Sequence, residues 1–138
     1  MSERYEIIDH TADIGIVAYG AGLKDAFANA AFALFSLMTD LDDVNDAVCL
    51  EAKVSADNRE DLLVEWLNEL IYLFEVENVL LRRFDISELT DTTLRAECYG
   101  ERIDPQRHIV ARGVKAATYH MLRIDEEDGY RVQVLFDI

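Results

Sequence analysis

Two stretches of helical periodicity sit inside a chain that otherwise alternates every second residue, and that mixture most restricts the fold. In residues 23–38, Leu23, Ala26, Phe27, Ala30, Leu34 and Met38 recur at the i, i+3, i+4, i+7 spacing of one helix face. A second helix is predicted to run to about Phe74, with Leu63, Trp66, Leu67, Leu70, Ile71 and Phe74 on its apolar side. Asp57, followed three residues later by Glu60, is a candidate capping box for it. Its aromatic residues read as core. Around these helices, residues 4–8, 14–19, 47–54, 79–89, 92–101, 116–124 and 130–138 read as strands. Gly20-Ala21-Gly22 and Asp125–Gly129 break the pattern as turns, and Arg82-Arg83 disturbs one strand as a bulge would. The order predicts an α+β two-layer sandwich, a largely antiparallel or mixed sheet with two amphipathic helices on one face, in a single domain spanning 1–138.

Composition narrows the function. The 138 residues carry a formal charge of -15, with 28 acidic against 13 basic side chains. Such a surface repels phosphates, so tight stand-alone nucleic-acid binding is not expected, whereas a basic protein or a cation would be attracted. Solubility, or adaptation to a salty cytoplasm, explains much of the charge equally well. Cys49 and Cys98 are the only cysteines and read as reduced core residues of a cytoplasmic protein. They are too few for a cysteine zinc site. No apolar run reaches membrane-spanning length, and the charged first residues do not resemble a signal peptide. The acidic exit loop Thr39–Asp43 lacks calcium-loop spacing and reads as solvated.

Asp9-His10-Thr11-Ala12-Asp13 concentrates two carboxylates, an imidazole and a hydroxyl between two strands. If Ile14, Ile16 and Ala18 face the helices, alternation turns Asp13 to the other face. The same reasoning turns Asp137 away from a core of Val132, Val134, Phe136 and Ile138. Were those strands neighbours, Asp13, Asp137 and the Ile138 carboxylate would meet, and a divalent cation would relieve their repulsion. Oxygen donors favour calcium, magnesium or manganese, with His10 as a ligand or an orienting partner. A strand that ends in a solvated aspartate is the plain alternative. Residues 102–115, with Arg102, Arg107, His108, Arg112 and Lys115 beside Pro105 and Gly113, read as a long basic loop. These bases either act on a partner or balance acidic neighbours.

Four blocks carry a resemblance: residues 5–15, residues 58–72, Val114–His120 and Val134–Ile138. Together they closely resemble the archease family, in order and over the whole chain. The resemblance implies an accessory activator of the RtcB-type tRNA-splicing RNA ligase, not an enzyme. That ligase joins RNA ends bearing a 2′,3′-cyclic phosphate or a 3′-phosphate to a 5′-hydroxyl through a guanylylated histidine. The activator promotes guanylylation and repeated turnover in tRNA splicing or RNA repair, and broadens nucleotide use. It further implies a divalent cation, calcium with magnesium or manganese as alternatives, bound through Asp13, Asp137 and Ile138. By the same resemblance Lys115 takes part in activation. Asp9 and His10 are then expected to orient the site or face the partner. The competing readings are a stand-alone metal-dependent hydrolase, for which no nucleophile pair or phosphate loop is present, and a chaperone-like binding module.

Overall fold

The computed structural model describes residues 4–9 and 13–138. The elements run in the order β1 (Tyr5–Asp9), β2 (Ile14–Gly20), α1 (Leu23–Met38), a single 3-10 turn (Leu41–Asp43), β3 (Val48–Ser55), α2 (Arg59–Glu77), β4 (Val79–Leu89), β5 (Thr93–Arg102), β6 (Ala116–Glu126) and β7 (Tyr130–Asp137). The class is α+β, as expected, with the strands divided between two sheets. One has the order β1-β2-β7-β6 and the other β3-β5-β4. Every pairing is antiparallel.

Helix α1 keeps the predicted bounds because its punctuation is clear. Asp25 Oδ2 accepts from the Gly22 amide at the start, and Thr39 leaves the helix in extended conformation. Its alanines Ala26, Ala30, Ala31 and Ala33 are buried alongside Phe27, Leu34, Phe35 and Met38, so small residues let the helix lie close to its neighbours. The cap of α2 falls one residue later than predicted: Asn58, not Asp57, accepts from the Asp61 amide at 2.8 Å. At the other end Asn78, in the left-handed conformation, takes the place that glycine usually fills, and β4 begins at once.

Helix α1 packs on β2 and β4, and α2 on β6 and β3, so both helices contact both sheets. One hydrophobic cluster runs through all of these elements. At its centre Trp66 is fully buried, donates its indole N–H to the Phe27 carbonyl at 3.0 Å and stands edge-on to Phe84. Burial of an aromatic of this size contributes about 2–3 kcal/mol. Cys98 is buried as expected, but Cys49 is exposed. Alternation along β3 turns Cys49 outward with Glu51 and Lys53, and that pattern overrides the general tendency of free cysteine to be internal.

The expected bulge at Arg82-Arg83 is present as a register shift between Leu81 and Arg83. A larger irregularity was not predicted. Between Thr118 and Arg123 strand β6 carries three residues more than its partner β7 needs, with Met121 at φ 56°. The Gln133 side-chain amide closes this excursion by donating to the Met121 carbonyl at 2.9 Å.

Candidate functional site

Strand register gathers most of the predicted residues at one end of the four-stranded sheet. Ile14 pairs with Phe136, so Asp13 and Asp137 are the next residues outward on adjoining strands. Asp9, the last residue of β1, pairs with Ile14 on the far side of β2. Asp137 pairs with Ala116, the first residue of β6, and its carbonyl accepts from the Lys115 amide at 2.8 Å. The ends of all four strands therefore bring Asp9, Asp13, Asp137 and Lys115 to one edge. Asp13 is half-buried, while Asp137, Ile138 and Lys115 are exposed. His10 lies outside the described residues.

Asn68, which the sequence reading passed over, helps to build this edge. Its side-chain oxygen reaches from α2 and accepts from the Ala117 amide at 2.8 Å. Thr118 Oγ1 donates to the Leu135 carbonyl at 3.0 Å one residue further on. Together with the Lys115 amide, these bonds fix the start of β6 against both α2 and β7. An asparagine among Leu67, Leu70 and Ile71, where it is a poor helix former, was the available signal.

The long loop is real and well anchored. From Ile103 to Lys115 no helix or strand forms. His108, buried at 4% exposure, ties the loop down. Its Nδ1 accepts from the Asp104 amide at 2.8 Å, and that assigns the proton of the neutral ring to Nε2. Nε2 lies 3.2 Å from both the Asp43 carbonyl and the Glu101 carboxylate. Thr39 Oγ1 donates to the Ile109 carbonyl at 2.8 Å, and the Ala111 amide donates to the Met38 carbonyl at 2.7 Å. Glu101 is the electrostatic hub of the anchor. The Asn45 amide bonds its carboxylate and, with Arg107 and His108, holds its carboxyl below the usual range.

The five bases of the loop divide cleanly. Arg102 donates to the Glu77 carbonyl and lies 3.9 Å from its carboxylate. Arg107 pairs with Glu101 and Asp104, and His108 is buried. Among the described residues, the side chains of Arg112 and Lys115 have no such acidic partner. At the opposite end of the same sheet a groove of about 1120 Å³ is lined by Tyr19, Asp25, Asn29, Asp125, Tyr130 and Arg131, among others. None of the predicted site residues reaches it, and Asp125 there is engaged by Arg123 and Arg131.

Among the described residues, no three His, Cys, Asp or Glu side chains are gathered as a ready cation cluster. No helix among them is long and apolar enough to cross a membrane.

The sequence model of the Archease protein family (MTH1598/TM1083) matches residues 5–138. Protein archease of Sulfolobus acidocaldarius is 39% identical over 137 residues, covering 98% of this chain and 99% of the relative. The solution structure of Methanobacterium thermoautotrophicum protein 1598 superposes with a TM-score of 0.82 at 35% identity, over 98% of this chain and 99% of that one. A Thermotoga maritima crystal structure, described as an archease and possible chaperone, has a TM-score of 0.66 at 22% identity, covering 95% of this chain and 94% of that one. The chain belongs to the archease family.

Proposed function

We propose that this protein is an accessory activator of an RtcB-type RNA ligase, promoting its guanylylation and turnover in tRNA splicing or RNA repair, and that it works in the cytoplasm. Family membership supports the reading. The observation that carries it is the strand register, which sets Asp13 beside Asp137 at an edge shared with Asp9 and Lys115. An edge of carboxylates on a chain of charge -15 is suited to a basic groove on a protein that itself handles RNA.

The donors are oxygens on adjoining strand ends, which suits calcium, magnesium or manganese. Asp13 and Asp137 would hold the ion, completed by oxygens of Ile138. A bound cation supplies positive charge where phosphate oxygens carry the negative charge of nucleotidyl transfer. Asp13 and Asp137 bind and orient from opposite strands. Lys115, fixed through its amide to Asp137, steadies a phosphate oxygen or a ligase carboxylate. By the family resemblance, Asp9 and His10 are assigned to orienting the site or meeting the partner.

The deciding measurement is a time course of ligase guanylylation with and without this protein, with and without chelator. Stimulation is expected, and it should fall to the ligase-alone rate in Asp13→Ala and Asp137→Ala. Calorimetry of calcium binding to the isolated protein should show the same two variants weakened. Full stimulation by either variant would sink the reading. Phosphatase or nuclease turnover by the protein alone with manganese would favour a hydrolase instead. Suppression of aggregation by the carboxylate-free variants would favour a chaperone-like module.

A further inference from the structure

Residues 105–124 contain no aspartate or glutamate, in a chain that has 28 of them in 138. The same run carries Arg107, Arg112, Lys115 and Arg123. It also holds four of the eight large apolar side chains exposed among the described residues: Ile109, Val110, Tyr119 and Met121. Ile109 stands out at 81% exposure. Arg107 is held by Glu101 and Asp104 and Arg123 by Asp125, so it is the loop segment 109–115 that brings together exposed Ile109 and Val110 with Arg112 and Lys115, two bases with no acidic partner among the described residues.

An exposed isoleucine on a loose loop would mean little, but Ile109 is held. His108 before it is buried, its own carbonyl accepts from Thr39, and Ala111 after it donates to Met38. The backbone is pinned on both sides while the side chain points to solvent. Little ordering entropy remains to be lost when a partner covers it. Apolar anchors of this kind, surrounded by polar groups, carry most of the energy at protein interfaces. Ile109 stands six positions before Lys115, a span of at most about 21 Å, so the anchor and the acidic edge belong to one continuous loop end.

We propose that the loop segment 109–115, which carries Ile109, Arg112 and Lys115 and no carboxylate, is the face on which the partner ligase docks. Ile109 enters an apolar pocket of the ligase, and Arg112 and Lys115 meet carboxylates that border it. The proposal rests on the functional reading above. Charge argues for a protein surface of that kind over the alternatives. A second copy of this chain brings another -15 charges, and a nucleic acid brings phosphates to a face that adjoins Asp13 and Asp137.

The test titrates ligase guanylylation with wild type, Ile109→Asp, Arg112→Glu and Asp137→Asn. Ile109→Asp should raise the half-saturating concentration at least tenfold with the plateau nearly kept, and Arg112→Glu about threefold. Asp137→Asn should instead lower the plateau at unchanged half-saturation. Calcium binding and the melting temperature of Ile109→Asp should match wild type, because the side chain is largely in solvent. If wild type stimulates and Ile109→Asp superimposes on it, the docking face is wrong and the functional reading stands. If wild type never stimulates, both fall. A change in sedimentation of the protein alone on Ile109→Asp would assign the face to self-association. Salt-sensitive RNA binding lost in Arg112→Glu would assign it to nucleic acid. Either result overturns the proposal.

Discussion

The two sheets treat charge differently. On the three-stranded sheet, two arginines are matched to acids within the fold: Arg83 lies 2.9 Å from Asp46 and 2.7 Å from Asp85, and Arg95 lies 4.0 Å from Glu51. Arg59, which opens α2, is likewise matched, to Asp91 in the β4–β5 turn at 2.9 Å. At the end of the four-stranded sheet the carboxylates of Asp13 and Asp137 come from adjoining strands, and Arg112 and Lys115 nearby have no acidic partner among the described residues. Matched surface pairs are worth little and leave nothing for a visitor to bind. Carboxylate residues on adjoining strand ends, with two bases nearby that have no acidic partner among the described residues, are the arrangement on which the proposed function draws. On the proposed function, the first sheet is scaffold and the second carries the working edge.

The sharpest way to break this contrast is to strike each sheet once. At Gly100 in β5, an added Cβ would lie 1.9 Å from the Leu80 carbonyl oxygen and 2.7 Å from the Leu81 Cα. Backbone cannot yield as a side-chain tip can, so Gly100→Ala is expected to cost at least about 3 kcal/mol. A fall in melting temperature of about 10 °C or more should follow. Ligase stimulation per folded molecule should be unchanged. Asp137→Asn should do the reverse. It removes a charge from a crowded edge, so thermal unfolding should move by no more than about 2 °C, while stimulation falls at least about tenfold. Equal losses of stability and stimulation in both variants would erase the distinction between the sheets.

What the sequence disclosed follows from how local each signal is. Helix α1 was legible to its end residues because Gly22 and Thr39 bracket an unbroken apolar stripe. The cap of α2 was missed by one position because Asp57 and Asn58 are both good caps, and only the fold decides which oxygen reaches Asp61. The Met121 excursion in β6 was invisible because no glycine marks its left-handed residue. For Cys49 the general tendency of free cysteine points inward while the alternation of its own strand points outward, and the strand decides. At the candidate site, alternation alone could offer Asp13 and Asp137 only as conditional neighbours. Their adjacency needs β2 beside β7, a pairing between opposite ends of the chain that no local pattern encodes. The anchoring of Ile109 depends on Met38 and Thr39, some seventy residues earlier, and was unreadable for the same reason.

A smaller effect tests whether the loop that joins the two sheets is held by charge. Glu101, at the end of β5, anchors His108 and Arg107, and its carboxyl is held below the ordinary range, first by the Asn45 amide. A carboxyl lowered on folding stabilises the folded form fully above its unfolded pKa of about 4.3, and that contribution is lost as pH falls through the folded value. Hydrogen exchange at the Ala111 amide should therefore stay protected at pH 6 and loosen as acid protonates Glu101. Glu101→Gln should be several-fold less protected already at pH 6, with no further acid transition of its own. Unaltered protection in that variant would show that packing of His108 alone holds the loop.

The smallest effect changes nothing that either sheet does, and so gauges both. Cys49 is exposed on β3, with its Sγ 3.6 Å from the Glu97 carboxylate, and takes no part in the core. Cys49→Ser should shift stability by less than about 0.5 kcal/mol and leave stimulation intact. It isolates Cys98, fully buried on β5, whose thiol is pushed up to about 12, above all by burial. A thiol so placed reacts only when its strand opens, because the thiolate is the nucleophile and iodoacetamide cannot otherwise reach it. In the Cys49→Ser background, labelling of Cys98 at pH 8 becomes a clock for opening of the three-stranded sheet. Adding Gly100→Ala, two residues away on the same strand, should speed that clock by orders of magnitude. Adding Asp137→Asn should leave it unchanged. Faster labelling with Asp137→Asn would mean that the working edge also holds the scaffold together, and that the two sheets share one stability after all.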